Sequence, residues 1–196
     1  YQSGFRPLHS TGTCLIDTTN KLLLNIDRGL LTGMVFLDLS KAFDTLDHER
    51  MREKLSQIGF NESAVIWFDD YLTDRTQSIA INGVVSDPKS LQYGVPQGSI
   101  LGPLLFIIYI NELPSIIQNC SIQLYADNTL LFFSSSSVAL IESTLSGDLN
   151  RMISWLNSNF LFLNYSKTKI MLIGTHQRLA KVDSFSIEAQ DNKFDR

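Results

Sequence analysis

The 196-residue chain has only two cysteines, Cys14 and Cys120, neither in a CxxC pair nor near a histidine. A disulfide scaffold is excluded, and a reduced intracellular setting is expected. Five prolines and eleven glycines are too few for a collagen-like fibre or a disordered tail. There is no basic excess, since 16 Lys plus Arg against 20 Asp plus Glu give a net charge of −4. Bulk electrostatics therefore cannot hold nucleic acid, and any such contact must come from local patches or metal ions. The longest apolar run, Pro103 to Ile110 (PLLFIIYI), falls far short of the roughly 20 residues that cross a bilayer, so no membrane association is expected. With 44% apolar and 18% charged residues, the composition is that of a folded domain with a sizeable core.

No internal repeat and no Pro- or Gly-rich linker interrupts the chain, so one continuous domain is expected. It opens on Tyr1 rather than Met, and DNKFDR at its end carries no clear element, the features of a piece cut from a longer protein.

Periodicity predicts a buried strand over Met34 to Leu37, after Thr32-Gly33 and ending at Asp38. Asp47 caps a helix with Met51, Leu55 and Ile58 on one face and Gly59 at its end, and a second helix starts at Asn61. Thr76 to Val85 turns at Asn82-Gly83 as a small hairpin. Ile100 to Leu113 is apolar nearly all round and suits a buried helix, led in by the turn sequence Pro96-Gln97-Gly98-Ser99. Ile122, Leu124 and Ala126 alternate with Gln123, Tyr125 and Asp127. That alternation predicts a hairpin with Asp127 and Asn128 at its tip and Leu130 to Phe133 as its second strand. Ser134 to Ser137 reads as a loop, Val138 to Leu156 as a long amphipathic helix, and Phe160 to Leu163 and Ile170 to Ile173 as short strands. With residues 47–98 set aside, the order is that of an α+β, ferredoxin-like split βαβ fold.

In that fold the first and third strands are central neighbours, which brings Asp38 near Asp127. Two converging carboxylates repel unless a cation separates them, and Mg²⁺ is the natural one. A pair of such ions about 4 Å apart suits phosphoryl transfer.

Five segments, in order, resemble the successive motifs of reverse transcriptases of non-LTR (LINE-type, jockey-like) retrotransposons. They are QSGFRPLHSTGTCLID (Gln2 to Asp17), FLDLSKAFDTLDH (Phe36 to His48), GVPQGSILGPLLFIIYIN (Gly94 to Asn111), QLYADNTLLF (Gln123 to Phe132) and FLFLNYSKTKIML (Phe160 to Leu172). The resemblance implies a polymerase palm with part of the fingers: residues 1–33 and 47–98 fingers-related, 34–46 and 99–175 palm, and 176–196 the start of a truncated C-terminal region. It implies that Asp38, the Leu39 carbonyl and Asp127 hold two Mg²⁺ ions, with Mn²⁺ as a substitute. Phe43 becomes the aromatic that excludes a 2′-hydroxyl, Gln97 and Gly98 line the nucleotide and template pocket, Lys167 meets the leaving pyrophosphate, and Arg6 lies on the nucleotide or template side. The implied partners are template RNA, primer DNA, deoxynucleoside triphosphates and the rest of the retrotransposon polyprotein, including endonuclease and thumb. Nucleus and cytoplasm are the expected locations.

The chain departs from the family at the hairpin, where Tyr125-Ala126-Asp127-Asn128 replaces a second aspartate by an amide. Loss of that charge predicts a roughly tenfold to several-hundredfold slower reaction. An inactive remnant or a non-catalytic nucleic-acid-binding palm is the alternative reading.

Overall fold

The computed structural model describes residues 2–195. In chain order it begins with helix α1 (Thr11–Asp27), strands β1 (Leu31–Leu37) and β2 (Leu39–Ser40), and helices α2 (His48–Gln57) and α3 (Glu62–Leu72). Four two-residue strands follow, β3 (Thr76–Gln77), β4 (Ala80–Ile81), β5 (Val84–Val85) and β6 (Lys89–Ser90). Helices α4 (Leu101–Ile110) and α5 (Leu113–Ile116) lead to β7 (Ser121–Tyr125), β8 (Asn128–Ser135) and α6 (Val138–Ser158). The rest comprises β9 (Phe162–Leu163), β10 (Lys169–Ile173), α7 (His176–Leu179), β11 (Ser186–Ala189) and β12 (Asn192–Asp195). The chain divides into two compact units, residues 2–40, 111–158 and 162–195 forming one and residues 41–110 with 159–161 the other. Residues 2–33 fold with the sheet, and α4 folds with residues 41–110.

The first unit is built on an antiparallel sheet of order β10-β1-β8-β7. With β1 central and paired on both sides, this is the expected split βαβ order. Helix α6 covers one face, burying Ile141, Leu145, Leu149, Met152, Ile153 and Leu156. Each such side chain contributes about 1.5–3 kcal/mol of transfer free energy. The strand starts at Leu31, ahead of the expected Met34, and Gly33 within it is a packing residue. A Cβ there would lie 2.3 Å from Ile141 Cγ2 and 2.7 Å from Leu145 Cδ1, so glycine is what lets α6 sit on the strand.

The serine tract also departs from expectation, since Ser134 and Ser135 remain in β8. The Ser134 hydroxyl meets Thr32 Oγ1 and takes a hydrogen bond from Asn25, both at 2.8 Å, which keeps the strand paired. Several elements fall where none is read from sequence, helix α1 and the β11–β12 hairpin among them. Helix α1 starts with a capping box between Ser10 and Thr13. The hairpin β11–β12 turns at Gln190, whose φ is 51°, and buries Ile187 and Ala189. Phe160, at φ 55°, delays the expected strand to Phe162.

In the second unit Asp47 and Asn61 cap α2 and α3 through hydrogen bonds from Arg50 N–H and Ala64 N–H. Helix α4 buries Leu105, Phe106, Tyr109 and Ile110 completely, as its all-round apolarity predicts. It stops at Ile110, and the polar pair Asn111-Glu112 separates it from α5. The Asn82-Gly83 turn has φ of 50° and 83°, the type I′ signature, and the strands β4 and β5 that it joins are exposed. Among the described residues, no helix is long and apolar enough to cross a membrane.

Candidate active site

Asp38 leaves the end of β1, where that strand stops pairing with β8. The next two residues form β2, which pairs Leu39 with Leu163 of β9. This pairing buries the Leu39 side chain and draws the following loop beside Asp38. Asn164 N–H donates to the Asp38 carbonyl at 2.8 Å. The Asn164 side-chain oxygen in turn accepts from the Ser166 hydroxyl at 2.8 Å, and its carbonyl accepts from Thr168 Oγ1 at 3.0 Å. The folded loop brings Lys167 Nζ to 3.2 Å from Asp38 Oδ2. Because 64% of the lysine side chain is exposed, this ion pair is weak and readily exchanged. Asn164 is the organising residue that sequence reading does not single out; the Asn-x-Ser turn pattern is the signal that points to it.

The hairpin supplies the second carboxylate. Its last register pairs are Leu37 with Thr129 across β1–β8, and Tyr125 with Asn128 across β7–β8. The turn therefore consists of Ala126 and Asp127 alone, and Asn128 is the first residue of β8 rather than part of the tip. Positive φ falls on Ala126, at 55°, not on Asn128. Continuing the β1–β8 register by one residue sets Asp38 against Asn128, with Asp127 one residue beyond. Asn128 is exposed, and its Nδ2 lies 3.4 Å from Asp127 Oδ1.

The structure thus gathers Asp38, Asp127, Asn128 and Lys167 in the first unit, at the ends of the two central strands and on the adjoining loop. Two carboxylates and an amide form an all-oxygen donor set, which suits a hard divalent cation. Among the described residues, no three or more His, Cys, Asp or Glu side chains form a metal-binding group. Arg6 belongs to the same unit but is exposed and donates to the Gln2 carbonyl at 3.1 Å.

The remaining predicted residues lie in the second unit. Phe43 is half-buried, its ring centroid 4.7 Å from that of Phe106, and its carbonyl accepts from Val95 N–H at 2.8 Å. Gln97 Nε2 donates to Asp44 Oδ1 at 2.8 Å. The Gly94–Gly98 segment is therefore tied to the residues around Phe43. Gly98 has φ 77° with open space around it, so glycine there answers to backbone conformation. His48, at 2.8 Å from the Gly94 carbonyl, adds a further tie.

A model of the reverse transcriptase (RNA-dependent DNA polymerase) family matches residues 1–193. The probable RNA-directed DNA polymerase from transposon BS of Drosophila melanogaster is 29% identical over 175 residues, 86% of this chain and 19% of that protein. The RNA-directed DNA polymerase from mobile element jockey of the same organism is 28% identical over 174 residues, 85% and 19% of the two chains. The chain spans about a fifth of the length of these curated relatives. Among solved structures, Candida tropicalis telomerase in complex with a TWJ fragment of telomeric RNA superposes with TM-score 0.65 at 12% identity, covering 87% of this chain and 30% of the other. Apo telomerase of the same organism, truncated from its C-terminal domain, gives 0.62 at 15% identity, covering 90% and 37%. At such identities the likeness is one of fold, and it agrees with the polymerase fold that the resemblance implies. The ordered motifs, the sheet that carries them and the match along nearly the whole length place this chain in the reverse transcriptase family, beside the polymerases of non-LTR retrotransposons.

Proposed function

We propose that this chain is the core of an RNA-directed DNA polymerase that extends a DNA primer on an RNA template with deoxynucleoside triphosphates, with a cation site impaired at Asn128. Residues 34–46 and 99–175 serve as its palm and 47–98 lie on the fingers side. The observation that carries the reading is the strand register that sets Asp38 against Asn128, next to Asp127, at the ends of adjacent central strands, with Lys167 beside Asp38.

Asp38, the Leu39 carbonyl, Asp127 and the Asn128 amide oxygen are the groups that hold divalent ions, Mg²⁺ or Mn²⁺. When bound, such ions activate the attacking primer oxygen and neutralise charge on the leaving group. Lys167, released from its exposed pair with Asp38, presents an ammonium to the leaving pyrophosphate and can donate a proton there. Phe43, held by Phe106, blocks a 2′-hydroxyl at the incoming sugar, and Gln97 and Gly98 border the nucleotide and template pocket. Arg6 serves on the template or nucleotide side. Replacing a carboxylate by an amide at position 128 removes a charged contact of about 1.5–3 kcal/mol, which slows the reaction roughly ten- to 150-fold.

The test is primer extension on a poly-ribonucleotide template with Mg²⁺ and then Mn²⁺. Asn128→Asp is expected to raise the rate by that factor, and Asp38→Ala to abolish extension. If no form extends a primer, the alternative reading of a non-catalytic palm or inactive remnant replaces this one.

A further inference from the structure

We infer that Gln2 is a positioning residue for Asp127, acting through the backbone of Ala126. This rests on the reading of Asp127 as a cation ligand. The turn before Asp127 holds Ala126 at φ 55°, a left-handed conformation that a side-chain-bearing residue avoids unless its surroundings impose it. Gln2 imposes it. The Gln2 Oε1 accepts from Ala126 N–H at 3.0 Å, and Nε2 donates to the Ala126 carbonyl at 3.3 Å. Both backbone groups of one residue are thus taken by one side-chain amide.

The amide is itself fixed. Gly4 N–H donates to the same Oε1 at 2.7 Å, so two N–H groups face one atom, which settles it as the oxygen. Ser3 N–H donates to the Leu124 carbonyl at 2.8 Å, and Gln2 bridges Leu124 in parallel, so residues 2–4 run along the free edge of β7. Such closeness requires Gly4, because a Cβ there would lie 2.3 Å from Ala126 N. The peptide anchored at the Ala126 carbonyl is the one that carries the Asp127 N–H, so the clamp sets the direction in which the Asp127 carboxylate leaves the turn. Among the described residues, Asp127 itself receives only the long contact from Asn128. A residue 124 positions from Ala126 therefore orients the ligand that follows it.

The test measures Mn²⁺ binding to the full chain by electron paramagnetic resonance, with melting curves on the same samples. Gln2→Leu is expected to weaken Mn²⁺ binding about tenfold as the turn relaxes. Adding Ala126→Gly to that variant is expected to restore most of the affinity, since glycine holds positive φ unaided; a clamp that merely ties down the first residues would not be rescued this way. Gln2→Glu keeps the oxygen that serves Ala126 and Gly4 but loses the donor, so a loss smaller than that of Gln2→Leu is expected, and this variant stands in if Gln2→Leu melts below the assay temperature. Parental Mn²⁺ affinity in the folded Gln2 variants, together with loss of binding in Asp127→Ala, overturns the inference and leaves the cation reading intact. Parental affinity in Asp127→Ala overturns the cation reading and the inference with it.

Discussion

Replacing Asp148 with alanine removes a carboxylate that is completely buried on α6 yet fully partnered. One oxygen accepts from Gln118 N–H at 3.0 Å and from the Arg151 guanidinium, and the other accepts from Asn119 N–H at 2.9 Å and Cys120 N–H at 2.7 Å. These bonds fold the segment that leads into β7, and β7 carries the turn with Asp127. Hydrogen bonds to a charged acceptor contribute about 1.5–3 kcal/mol each, while each orphaned N–H costs about 1–3 kcal/mol. Burial of the charge offsets part of this sum, and the expected loss for Asp148→Ala is about 3–5 kcal/mol. At about 2–4 °C per kcal/mol for a chain of this size, the melting temperature should fall by roughly 6–20 °C. Urea denaturation provides the assay, with the midpoint lowered and the slope unchanged.

The same residue predicts a pH dependence. Burial alone would raise its pKa, but the three N–H donors and Arg151 outweigh burial and hold the carboxyl well below the usual carboxylate range. A lowered folded pKa means stability that is present above the unfolded value near 3.9 and lost as pH falls through the folded one. The parent chain should therefore lose more stability below about pH 4 than Asp148→Ala does. A loss at neutral pH of less than about 0.5 kcal/mol, within the range of an ordinary surface substitution, would refute the reasoning.

Two further substitutions probe the two units separately. Gly33→Ala should destabilise by about 1–3 kcal/mol through overpacking against Ile141 and Leu145, measured by the same urea titration; an unchanged midpoint would mean that α6 shifts freely. Tyr109→Phe removes the buried hydrogen bond to the Asn159 carbonyl at 2.8 Å and should cost about 1 kcal/mol at neutral pH. Burial pushes the Tyr109 hydroxyl up to about 12, so it stabilises the fold below its unfolded value near 10 and that contribution fades from about pH 10 to 12. The phenylalanine variant should accordingly show a shallower alkaline decline.

The strand order is legible in the sequence because β1, β7 and β8 alternate or run apolar between clear turn residues, and the Asp38 and hairpin positions follow from that order. Asp47, Asn61 and the Asn82-Gly83 pair mark their elements because a cap or turn leaves a local chemical signature. Helix α1 is not legible in the same way. Leu15, Ile16, Leu23 and Leu24 remain exposed while Thr18 is its buried residue, so no apolar stripe marks its inner face. The Ser10-Thr13 capping box is the available signal. The β11–β12 hairpin is silent because its turn residue with positive φ is Gln190, where glycine or asparagine would have announced it. The offset of Asn128 from the tip depends on which residue of the turn takes positive φ, and an alanine gives no warning of that. The Gln2 clamp is a contact between distant positions, and no local pattern encodes it.

The central place of β1 in the sheet also bears on synthesis. Its seven residues, LTGMVFL, leave the ribosome with both edges unpaired, and residues 38–127 must be made before β8 can begin to cover one of them. At translation speeds of about 5–20 residues per second, that leaves an apolar strand open for roughly 5–18 s. β10 arrives later still. During that interval the nascent chain presents the kind of unpaired, uncharged edge that recruits other strands, so its yield in the cell should depend on chaperones that shield β1 until translation reaches the hairpin.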